Sequence, residues 1–163
     1  MVAGKKYNKI DRCGITYLQK GKIMTKTAIV YWSGTGNTAA MADFVAEGAK
    51  SAGADVSVFT ADEFSTDKIN DFDSLAFGCP SMGCEQLEES EFEPMFDSCK
   101  SSLKGKKIAL FGSYGWGDGE WMRTWEDDCK SFGAYLVYDS VICNDAPDSD
   151  AEQQCKSLGA ALA

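Results

Sequence analysis

The chain has no histidine, no Cys-x-x-Cys pair and no apolar run near the roughly 20 residues of a membrane span. Without imidazoles or close thiol pairs, the ordinary ligand sets of zinc and iron–sulfur centres are missing, so no metal site is expected. The seven cysteines, at 13, 79, 84, 99, 129, 143 and 155, are odd in number and follow no cleavable apolar signal. That excludes a disulfide scaffold, points to a reducing cytoplasm and makes most of the thiols small buried hydrophobes. A further gap is local: Lys and Arg are absent from Thr27 to Ala49, so an anion held there must be held by N–H groups, hydroxyls and a helix dipole alone.

What is present suits one folded domain. At 163 residues, with 44% hydrophobic and 12% aromatic content, the chain can bury a core but cannot supply separate cofactor and substrate domains. Residues 1–24 carry six cations against Asp11, a net +5, which leaves −14 for residues 25–163 of a chain of net −9. An acidic body disfavours nucleic acid and anionic membranes and attracts basic proteins. Residues 1–24 show neither helical nor strand periodicity, so they are expected to be a disordered basic leader, or an upstream extension of a chain whose working initiator is Met24.

From residue 25 to 163 strands and helices alternate with short links, the pattern of an α/β fold with a doubly wound, five-stranded parallel sheet and helices on both faces. Strands are predicted at 27–32, 55–60, 74–78, 107–112 and 135–141. Helices are predicted at 38–52, 91–102, 120–132 and 150–162, with a short piece at 67–71. Met41, Phe44, Val45 and Ala49 share one helical face, and Trp121, Trp125, Cys129 and Phe132 another, which makes both tryptophans core residues. Ligands of such sheets bind beyond the carboxyl ends of the strands. The segments to inspect are therefore Ser33–Thr38, Pro80–Glu89, Ser113–Glu120 and Cys143–Asp148.

Ser33-Gly34-Thr35-Gly36-Asn37-Thr38 joins a buried strand to a helix start. Gly34 to Ala39 matches the loose dinucleotide pattern G-x-G-x-x-A, but a dinucleotide site needs a second mononucleotide half for which the chain has no room. A Walker loop needs a Lys after the glycines, and none is there. Three hydroxyls interleaved with glycine and Asn37 suit a wrapped monophosphate, and an ordinary turn does not need them. Met82, on the loop after the third strand, offers a polarizable thioether to an aromatic face, and Gly83 lets its peptide change orientation cheaply. Trp116, between two glycines on the loop after the fourth strand, lacks neighbours to bury against. Opposed to Met82, it would close a slot for a planar ring. Phosphate nest, slot and acidic surroundings together specify FMN.

Residues 25–163 resemble a short-chain flavodoxin of the kind found in anaerobic bacteria. The likeness runs through Tyr31–Thr38, Met82-Gly83, Glu88–Pro94, Phe111–Gly119 and Asn144–Asp148. It implies sheet order 2-1-3-4-5 and a low-potential, one-electron carrier with non-covalently bound FMN, cycling between semiquinone and hydroquinone. It implies FMN contacts from Ser33, Gly34, Thr35, Gly36, Asn37 and Thr38; from Met82, Gly83, Cys84 and Glu85; from Ser113, Tyr114, Gly115, Trp116 and Asp118; and from Asn144. Ser33, Thr35, Asn37 and Thr38 would hold the phosphate, Met82 and Trp116 would flank the ring, Glu85 would accept from its N3–H, and Asn144 would lie at its edge. The pattern is broken at Cys84, where a small polar or acidic residue is expected, and at Pro80, which has no hydroxyl.

A cytoplasmic monomer serving ferredoxin- or flavodoxin-coupled oxidoreductases is implied, with an acidic docking face around Glu88, Glu89, Asp118 and Glu120. Two other functions were open to this topology. An NAD(P)H-dependent quinone or FMN reductase needs insertions and a hydride-donor pocket, which so compact a chain lacks. A signalling receiver needs acidic residues after its first strand, where Trp32 and Ser33 stand.

Overall fold

The structure, a computed structural model, describes Gly21 and residues 23–163. The expected basic leader lies outside the described residues, apart from Gly21, Ile23 and Met24. β1 (Lys26–Tyr31), β2 (Asp55–Thr60), β3 (Ser74–Gly78) and β4 (Lys107–Tyr114) pair in parallel, as the alternation of strands and helices predicts, in the order β2-β1-β3-β4 that the resemblance implies. Their apolar residues alternate between two cores. Ala28, Val30, Leu75, Phe77, Ile108 and Leu110 face one side, while Ile29, Ala76, Ala109 and Phe111 face the other. A strand buried on both faces needs this unbroken apolar run, because each successive side chain enters a different layer.

α1 (Asn37–Ser51) and α4 (Ser149–Leu162) cover the second face. They cross closely: a Cβ added at Gly48 would stand 2.0 Å from the carbonyl oxygen of Lys156. α2 (Phe92–Cys99) and α3 (Glu120–Ser131) cover the first face, where Phe92, Phe96 and Trp125 meet edge to face or stacked. Trp121 and Trp125 are core residues, each 2% exposed.

The structure differs from the sequence pattern in three places. The fifth strand is broken: β5 (Tyr135–Leu136) pairs with the start of β4, and β6 (Val141–Asn144) with its end. Tyr138, Asp139 and Ser140 leave the ladder between them, and Asp and Ser are poor strand formers. Pairing with β6 extends β4 through Ser113 and Tyr114, which were expected in a loop. The second predicted helix stops as an α-helix at Cys99 and tightens into a 3-10 turn, Lys100–Ser102. Pro94 sits in the first turn of α2, where no N–H partner is lost.

Candidate functional site

The carboxyl ends of β1, β3, β4 and β6 converge on a cavity of about 220 Å³. One wall is the β1–α1 turn, with Ser33, Gly34, Thr35, Asn37 and Thr38. The oxygen of Ser33 accepts from the N–H groups of Gly36 (3.1 Å) and Ala39 (3.3 Å), which leaves its own proton to donate outward. Among the described residues no partner meets the N–H groups of Gly34, Thr35, Asn37 or Thr38, and the first turn of α1 contains no acidic residue. Thr38 and Ser113 are buried side by side, Oγ1 to Oγ 3.2 Å, with the Ser113 N–H 3.4 Å from Thr38 Oγ1. The result is a cluster of donors at the positive end of a 15-residue helix whose one cation, Lys50, stands in the last turn, far from the donors.

The opposite wall comes from Pro80, Ser81 and Met82. Met82 and Gln86 exchange backbone hydrogen bonds of 2.8 and 2.9 Å, closing a tight tip over Gly83, Cys84 and Glu85. So short a tip forces left-handed backbone at Gly83 (φ 51) and Glu85 (φ 52). Met82 is 37% exposed, and Trp116, beyond the cavity on the neighbouring loop, is 62% exposed. Cys84 is an exposed free thiol. Burial instead pushes the thiols of Cys79, Cys129 and Cys155 up to about 12, so they stay neutral.

Tyr114 and Gly115 line the cavity between these walls. Asn144 pairs in register with Tyr114 at the end of β6 but does not line it, while the next residue, Asp145, does. Asp145 (φ 55) turns the chain there, its N–H donating to the Tyr114 carbonyl at 2.8 Å. Glu85 does not line the cavity. Its Oε1 accepts from the N–H groups of Gly119 (3.2 Å) and Glu120 (3.1 Å) at the start of α3, and Oε2 has no partner among the described residues. Asp118 also points away, into an ion pair of 2.8 Å with Arg123 that lowers the Asp118 pKa.

Four lining residues went unassigned from sequence: Trp32, Pro80, Ser81 and Asp145. Trp32, Ser81 and Asp145 each adjoin an assigned residue, and an Asn-Asp pair after a strand signals a left-handed turn.

One acidic residue must be moved from the surface to the interior. Glu88, expected on the docking face, is 6% exposed. Its carboxylate accepts from the N–H groups of Ser90, Glu91 and Phe92, each at 2.8 Å, and from the Ser90 hydroxyl, so it caps the start of α2. Burial pushes its pKa up, but the bonds from the Ser90 hydroxyl and the three N–H groups outweigh that and hold it at about 2. Glu89, Asp118 and Glu120 are exposed.

The flavodoxin family model matches residues 29–159. The chain is 46% identical to a flavodoxin of Clostridium beijerinckii over 83% of its own length and 97% of that protein's. It is 47% identical to one of Megasphaera elsdenii, over 83% and 96%. The chain belongs to the flavodoxin family. Flavodoxins are FMN-binding electron carriers rather than enzymes, and this flavodoxin shares their sheet order. The solution structure of two-electron reduced Megasphaera elsdenii flavodoxin matches it with a TM-score of 0.78 at 46% identity, covering 83% of this chain and 97% of that one. No helix of the described residues of this flavodoxin is long and apolar enough to cross a membrane.

Proposed function

We propose that this flavodoxin holds the FMN phosphate on Ser33–Thr38 and the isoalloxazine between Met82 and Trp116, and passes single electrons to basic redox proteins of the cytoplasm as a monomer. The observation that carries this is the meeting, in one cavity, of free N–H groups at the start of α1 with an exposed thioether at the tip after β3. The donor set suits a phosphate dianion: N–H groups and hydroxyls converge and no carboxylate intrudes on the first helical turn. The exposed Met82 and Trp116 suit a ring that stays open to a partner at one edge.

Bound FMN supplies a centre that takes up and returns electrons one at a time. The residues set the terms. Each carboxylate about 10 Å from the ring makes added negative charge costlier by about 0.4 kcal/mol even in water's dielectric, and the uncompensated phosphate adds to this. The potential of the second electron is therefore low. Turning the Met82–Gly83 carbonyl toward a ring N–H exchanges its bond from the Gln86 N–H (2.9 Å) for one from the ring, and Gly83, with no side chain, makes the backbone rotation sterically cheap. Glu85 Oε2 keeps an acceptor free while Oε1 caps α3.

Apoprotein titrated with FMN should bind one equivalent and quench its fluorescence, and dithionite should then reduce the complex in two resolved one-electron steps without NADH turnover. Steady NADH oxidation would instead identify a reductase.

A further inference from the structure

The β1–α1 turn rests on an indole that is fastened from elsewhere in the chain. Trp32 Nε1–H donates to Oε2 of Glu91 across 2.7 Å. The ring lies against Gly34, where a Cβ would meet its Cη2 and Cζ3 at 3.1 and 3.2 Å. Trp32 also lines two hollows. One is the cavity described above; the other, of about 290 Å³, is bounded by Ser33, Gly36 and Glu91. The half-buried indole rests on the core at one edge, and the bond at Nε1 fixes the edge that lines both hollows, so packing and that bond together set its plane. Glu91 is in turn fixed, because its N–H donates to the buried Glu88 carboxylate at 2.8 Å.

We infer that Glu91 and Trp32 are positioning residues for the FMN phosphate. The Glu91 carboxylate sets the indole plane, the indole sets the height of the Gly34 peptide, and that peptide aims the free N–H groups of Gly34 and Thr35. Neither residue touches the phosphate through its own polar group: the Nε1–H of Trp32 is committed to Glu91, and Glu91 has no donor. This inference rests on the placement of the phosphate at Ser33–Thr38.

The test is titration of apoprotein with FMN and with riboflavin, which lacks the phosphate, followed by flavin fluorescence. Wild type should bind FMN far more tightly than riboflavin. Glu91→Ala should weaken FMN about tenfold and leave riboflavin within about twofold, the loss expected when a hydrogen bond to a charged acceptor is removed. Trp32→Phe, which keeps a flat ring but no donor, should show the same selective loss, and the double variant should lose no more than either single change. Glu91→Gln keeps a neutral acceptor and should recover part of that loss, binding FMN more tightly than Glu91→Ala does. Equal weakening of FMN and riboflavin, or no change in either, would overturn the positioning role. A wild type that does not prefer FMN would overturn the phosphate placement itself, and the brace with it.

Discussion

The carboxylate carbon of Glu85 stands 2.4 Å from the point that a Cβ on Gly117 would occupy. That approach lets Glu85, on the tip after β3, cap α3 through Gly119 and Glu120, and so joins the loop bearing Met82 to the loop bearing Trp116. Gly117 also has φ 86, where a side chain is strained by about 1–2 kcal/mol. Gly117→Ala should expel the Glu85 carboxylate, losing the cap as well, and destabilise the apoprotein by about 2–3 kcal/mol. Urea unfolding measures this, and a change below about 1 kcal/mol would show that the two loops are not joined there.

Glu88 makes stability depend on acid. Its folded pKa, about 2, lies below the 4.5 of the free group, so its contribution is complete above about pH 5 and is lost as pH falls through 4.5 toward 2. Glu88→Gln should cost about 2–3 kcal/mol at pH 7. The gap to wild type should narrow steadily below pH 5 and close near pH 2. A gap independent of pH would assign the loss to shape rather than charge.

Gly48 has no room for growth. The atom nearest an added Cβ is a backbone oxygen, that of Lys156 at 2.0 Å, so α1 and α4 must separate to admit it. Gly48→Ala should destabilise by about 3 kcal/mol, within the upper range of overpacking costs. Thermal unfolding would register it, and FMN affinity per folded molecule should fall far less than stability.

Gly83→Thr puts a β-branched residue at φ 51, with its new Cβ in ordinary contact with the Gln86 side chain, Nε2 at 3.5 Å. The peptide that turns toward the flavin becomes costly to move, and the two one-electron potentials should approach each other. Potentiometric titration of the FMN complex reads the separation directly, and an unchanged value would remove the peptide from the redox mechanism.

Electron transfer to a basic partner should slow as salt rises, because exposed charges such as Glu89, Asp118 and Glu120 act over about 8 Å at physiological ionic strength. Stopped-flow rates at low and high salt would show it.

The sequence by itself determined the layers and the order of elements. Apolar runs such as Ala28–Val30 can be satisfied only between two helical layers, and helix faces such as Met41, Val45 and Ala49 announce where they pack. The donor-rich turn was equally legible, because glycine, hydroxyls and a missing cation are properties of composition. Tertiary structure alone decided what depends on distant neighbours. It split the fifth strand, since β4 offers partners at both ends of that segment. It turned Glu88 from a surface charge into a buried cap, because only the folded chain brings three N–H groups around it. It joined Trp32 to Glu91 across 59 positions, a contact no local pattern encodes. A side chain's own chemistry is written in the sequence, but its partner is chosen by the fold.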